Sequence, residues 1–125
     1  MNAKRDDLSR LQEIHDIILQ TKRQLRALEF TRSRFCDPDN DEDDLIAEGI
    51  MNRVLRVTEE VGRLSDEVSQ RYGFEKHAVL GVRNRLAHAY GDVDREIIWA
   101  VIEQDFDEWL ASCALYCEDN GLDLE

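Results

Sequence analysis

The densest grouping of chemically useful side chains lies in Arg83-Asn84-Arg85-Leu86-Ala87-His88-Ala89-Tyr90. Arg83 supplies a permanent cation and Asn84 an amide. His88 transfers protons near neutral pH, and Tyr90 adds a phenol. Such a set can attack and hold a phosphodiester: the imidazole moves the proton while the guanidinium meets charge on phosphate oxygens.

Spacing decides how these groups can cooperate. The segment is apolar enough for a helix, on which positions five apart are separated by about 140°. Arg83 and His88 then point away from one another. Asn84 and His88 are four apart, share a face, and allow the amide to orient the imidazole. Arg83 reaches the same phosphate either by curling its long side chain round the helix or from a second subunit across a two-fold axis. On residue chemistry alone a plainer reading stands beside this one: a structural histidine, surface arginines and a tyrosine packed at a helix end before Gly91.

The elements that must carry the motif are helical. Proline occurs once and glycine six times in 125 residues, a composition that favours helix and, at this length, one domain with its own core. Leu8, Leu11, Ile14, Ile18, Leu25 and Leu28 form a stripe on a first helix from about Asp6 or Asp7 to about Phe30, with the two acids suited to its start. The run Cys36 to Asp44, with Pro38 and clustered Asp and Asn, breaks the helix. It lacks the central glycine and closing glutamate of a calcium loop, so it reads as a solvated loop whose acids cap the next helix. Ile50, Val54, Val57, Val61, Leu64 and Val68 recur in steps of four and three along a second helix, about Asp44 to Tyr72, stopped by Gly73. Arg53, Arg56 and Arg63 on it are either solvated partners of Glu59, Glu60 and Glu67 or a phosphate-facing row. A third helix, about Lys76 to Ala89, holds the motif.

Asp94 caps a fourth helix to about Cys117, with Ile98, Val101, Ile102, Trp109 and Cys113 facing inward and Phe106 beside them. Residues 118–125 read as an acidic tail, leaving residues 1–117 as a single helical domain. The fold expected is all-α: an antiparallel four-helix bundle, with room for an extra short helix. Trp99 and Trp109, ten apart, cannot share one narrow stripe, so one is assigned to the core and the other to an interface. His15 and His77 receive no role.

Net charge is −12, which opposes nonspecific nucleic-acid binding. The acidity is concentrated, however: residues 35–50 carry −7 and residues 91–125 carry −10, against +3 over 1–34 and +2 over 51–90. The part holding the motif is mildly positive. Cys36, Cys113 and Cys117 form no CxxC pair, which suits small apolar residues or exposed thiols in a reducing compartment, with an intermolecular disulfide as the weaker reading. The N-terminus lacks a signal-peptide core, and the apolar run Ile97 to Ile102 is too short for a bilayer. A cytoplasmic, soluble protein is expected, with no membrane partner, no cofactor and no metal site.

Gly81 to Tyr90, followed by Val93-Asp94-Arg95-Glu96-Ile97-Ile98-Trp99, resembles the HEPN domain family, in particular the HepT-type toxins of HEPN/MNT toxin–antitoxin pairs. The resemblance covers roughly residues 45 to 110 in order and spacing. It departs in the second helix, where Thr58-Glu59-Glu60-Val61-Gly62 stands in place of an Ile-Gly-Glu-Ala-like stretch. It implies a metal-independent endoribonuclease toxin working as a homodimer, with Arg83 and His88 catalytic at the subunit cleft. His88 would promote attack of the RNA 2′-hydroxyl on the adjacent phosphorus, leaving a 2′,3′-cyclic phosphate. Arg83 would stabilise the non-bridging oxygens, and Asn84 and Tyr90 would support them. It further implies a minimal nucleotidyltransferase antitoxin that adds AMP to Tyr90. A second reading from the same resemblance is a non-catalytic subunit that binds a nucleotide or partner beside a nucleotidyltransferase.

Overall fold

Four of the described helices begin where a side chain satisfies a free N–H group of the first turn. The computed structural model describes residues 3–74 and 94–124, and each of its helices from the second onward opens on a residue of this kind or continues from the helix before it. Helix α1 spans Ala3–Ala27. Thr31 caps the short α2 (Arg32–Cys36), its hydroxyl accepting from Arg34 N. Asn40 caps α3 (Asp41–Gly62), accepting from Asp43 N, and Ser65 caps α4 (Asp66–Tyr72), accepting from Val68 N. Asp94 caps α5 (Arg95–Ala100), accepting from Glu96 N. A π-helical turn (Val101–Asp105) then leads without interruption into α6 (Phe106–Asn120). These caps satisfy donors that would otherwise be orphaned.

The chain folds as an all-α antiparallel bundle, and ion pairs record the helix directions. Arg10 meets Glu60 at 3.4 Å, Glu13 meets Arg56 at 3.7 Å, and Arg53 reaches Thr21 and Gln24. Residue numbers rise on α1 as they fall on α3, so the two are antiparallel. The same holds for α1 and α6, where Cys113 Sγ lies 3.9 Å from Leu11 O and Lys22 pairs with Asp107. The expected third helix, about Lys76 to Ala89, lies outside the described residues.

Much of the core follows the expected stripes, although Leu8 and Leu25 are only partly buried. Leu11, Ile14 and Ile18 from α1, the whole stripe Ile50 to Val68, and Ile98, Val101, Ile102, Phe106, Trp109 and Cys113 are all buried. Removing that much apolar surface from water is the main term favouring the fold.

Four sequence expectations change. Helix α1 starts at Ala3 and stops at Ala27: Glu29 takes a left-handed φ of 49°, Phe30 N–H bonds back to Leu25 O at 2.9 Å, and Leu28 is left 52% exposed instead of joining the stripe. The second helix starts at Asp41 and is broken at residues 63–65, because Ser65 turns extended (ψ 153°) to cap α4. The apolar register passes through this break, with Leu64 and Val68 both buried, so periodicity alone could not reveal it. The fourth helix runs on to Asn120, where Gly121 closes it at φ 62°, and Leu122 and Leu124 pack against the core instead of fraying. Finally, Trp99 and Trp109 are both buried, at 7% and 5% exposure, so neither is left over for an interface. The π turn explains the last point. Its i→i+5 bonding accommodates an extra residue and rotates the buried face, so α5 packs on α2 while α6 packs on α1 and α4.

Candidate functional site

Arg83, Asn84, His88 and Tyr90 lie outside the described residues, as does His77. What the structure defines is how the bundle holds the two ends of the stretch that carries them.

On the N-terminal side, α4 is tied to α1 by a buried carboxylate. Asp7, 4% exposed, accepts from Ser65 N at 2.9 Å and from Ser65 Oγ at 2.7 Å. One acid thus satisfies both donors at the break and sets where α4 begins. At the other end of α4, Gly73 adopts φ 81°, where a side chain would be strained. Gly73 N–H and Phe74 N–H both bond Ser69 O, and the Phe74 ring is buried at 2% exposure. The chain therefore leaves the described bundle at residue 74 from an anchored aromatic.

On the C-terminal side, Arg95 performs a similar task. Its guanidinium donates to Asp44 Oδ1 at 2.8 Å and to Phe35 O at 3.0 Å, joining α5 to α3 and to the end of α2. Arg32 pairs with Glu96, and Phe35 stacks on Trp99 with ring centroids 5.3 Å apart. Beside this junction Arg34 grips Asp43, donating from Nη2 at 2.7 Å and from Nε at 3.1 Å. The Arg34 guanidinium holds the Asp43 carboxyl below its ordinary value, outweighing the opposing effect of burial.

Where α4 meets α1 and α6 there is a small cleft of about 230 Å³, lined by Asp7, Ser65, Arg71, Tyr72, Tyr116 and Asn120 among others. Tyr72 donates its hydroxyl to Asp119 at 3.0 Å, and its ring meets Tyr116 edge-on at 5.3 Å. Burial pushes both phenols up, with Asp119 adding to the effect at Tyr72 and Asp7 at Tyr116. Both are neutral at physiological pH and bind by hydrogen bonding and ring contact. Neither signal stood out in the sequence. Ser65-Asp66-Glu67 is a helix-start pattern that could have located the break, but nothing local marks Asp7 as its buried partner.

Arg53 and Arg56 of α3 and Arg63 just after it do not form one free row. Arg63 is 3.3 Å from Glu60, as the solvated reading expected, whereas Arg53 and Arg56 pair with α1 residues. His15 is hydrogen-bonded to its neighbour Asp16 at 3.1 Å. All three cysteines are free thiols.

A helical bundle with an Arg–x–x–x–x–His segment between its α4 and α5 is consistent with the HEPN class. The family model described as Ribonuclease HepT-like matches residues 23–113, a span that includes the motif. The chain belongs to this HepT-like ribonuclease family. No curated protein and no solved structure matches the chain. Among the described residues, no helix is long and apolar enough to cross a membrane.

Proposed function

We propose that this protein is a metal-independent endoribonuclease of the HepT type, the toxin of a toxin–antitoxin pair. The observation that carries the reading is the family match over residues 23–113, which spans an intact Arg83-Asn84…His88…Tyr90 set. His88 acts as general base and then acid in attack of the RNA 2′-hydroxyl on its own phosphorus, and Arg83 neutralises the non-bridging oxygens as charge builds. Asn84 orients the imidazole. Two residues five apart on a helix would point away from one another, and on this reading Arg83 and His88 meet across the cleft of a homodimer that works in the cytoplasm.

Tyr90 is the control point. A minimal nucleotidyltransferase encoded beside it adds AMP to the phenol, and the added negative charge repels the RNA backbone. A second reading, a non-catalytic nucleotide-binding subunit, is favoured by the net charge of −12, since a free ribonuclease gains from a basic surface.

Purified protein incubated with RNA in excess chelator separates the two. Cleavage leaving 2′,3′-cyclic phosphate ends is expected, with His88→Ala reducing it by about 10²–10⁴-fold and Arg83→Ala also abolishing detectable product. Unchanged cleavage in both folded variants, or none in the wild type, would favour the binding subunit.

A further inference from the structure

A second groove, larger than the α4 cleft, lies away from it, between α1 and the C-terminal part of α6. It measures about 460 Å³, and its apolar lining includes Leu19, Leu110, Leu122 and Leu124. Leu19 is 44% exposed, and Leu110, Leu122 and Leu124 are only partly buried. Partly exposed leucines bordering one groove are costly to leave wet, and contiguous surface of this kind marks interaction sites.

Charge selects the occupant. Glu118 and Asp123 line the same groove, and on its α1 side His15 is hydrogen-bonded to the carboxylate of Asp16. No lysine or arginine follows Arg95, whereas nine carboxylates lie between Glu96 and Glu125. On the α1 side, Lys22 is already committed to Asp107. An apolar floor with an acidic rim repels RNA phosphates and anionic lipid headgroups, and it attracts cations. A helix that offers leucine-type side chains on one face and lysine or arginine on its flanks satisfies both features.

We propose that this groove docks a basic amphipathic helix of a partner protein, independently of the motif at Arg83–Tyr90. The apolar face of that helix covers Leu19, Leu110 and Leu122, and its flanking cations meet Glu118 and Asp123.

The test uses the full chain and a fluorescent synthetic peptide with leucines at i, i+3, i+4 and i+7 and lysines elsewhere, followed by anisotropy at physiological salt. A peptide of the same composition in scrambled order controls for charge alone. The ordered peptide is expected to bind one per chain and the scrambled one much more weakly. Leu19→Ser should weaken binding by about tenfold, as loss of one partly buried leucine contact implies. The pair Glu118→Gln with Asp123→Asn should weaken it too, while circular dichroism confirms the fold in every variant. Equal binding of ordered and scrambled peptides would overturn the proposal. So would an unaffected Leu19→Ser variant, or a wild-type dimer that Leu19→Ser converts to monomer, since the groove would then be filled by a second copy. RNA cleavage by these variants is expected to match wild type, so loss of docking and loss of catalysis read out separately.

Discussion

At the scale of single residues, burial sets reactivity. Cys113 is fully buried, and desolvation pushes its thiol up to about 12. Burial also raises Cys36 and Cys117, but at Cys36 the guanidinium groups of Arg32 and Arg95 oppose it. The thiolate is the nucleophile, and Cys36 is the most exposed of the three. Native alkylation followed by mass spectrometry should therefore label Cys36 first and Cys113 last. Because the Cys113 value is raised on folding, its contribution is intact at neutral pH and is lost as pH climbs from 9 towards 12. The motif could be picked out at this same scale, because the chemistry of its side chains follows from residue type, but Arg83, Asn84, His88 and Tyr90 lie outside the described residues. Asp7 and Asp43 could not be picked out: an acid near a helix start looks the same in sequence whether solvated or buried.

At the scale of elements, buried carboxylates hold the junctions. Asp43, gripped by Arg34, is depressed below its ordinary value of about 3.9. A depressed carboxylate stabilises the fold fully above that ordinary value, and the contribution is lost as pH falls through the lower folded value. Asp43→Asn should therefore reduce stability at pH 7 and flatten the acid limb of a stability–pH curve, measured by urea unfolding from pH 7 down to acid. A limb as steep in Asp43→Asn as in wild type would show that other carboxylates carry it. At the α3–α4 break, the Ser65 side chain both caps α4 and donates to Asp7. Ser65→Ala should cost about 1–3 kcal/mol, the cost of leaving a buried acceptor short of one partner, and its midpoint shift in the same unfolding experiment tests this.

At the scale of the whole molecule, the proposed homodimer makes a prediction about how two chains would combine. If Arg83 of one chain works with His88 of the other, a mixture of inactive Arg83→Ala and His88→Ala chains forms heterodimers with one intact cleft. Unfolding and refolding the two variants together should restore part of the RNA cleavage that each lacks alone. Sedimentation should show a dimer under the same conditions. No recovery from a mixed dimer would place both residues of a working pair on one chain.

Apolar periodicity determined the bundle: with one proline and stripes at steps of three and four, the chain has few ways to bury its leucines, isoleucines and valines except helix against helix. The family motif was likewise present in eight consecutive residues. Tertiary structure alone decided where α3 gives way to α4, because the apolar register continues across the break and the deciding contact, Asp7 with Ser65, joins positions 58 residues apart. It also decided that both tryptophans are internal, since a π turn between them rotates the buried face, and that Glu118 and Asp119 belong to a helix. Stripes and spacings are local properties. The pairing of a buried charge, and the face left uncovered between α1 and α6, depend on which distant helix arrives alongside.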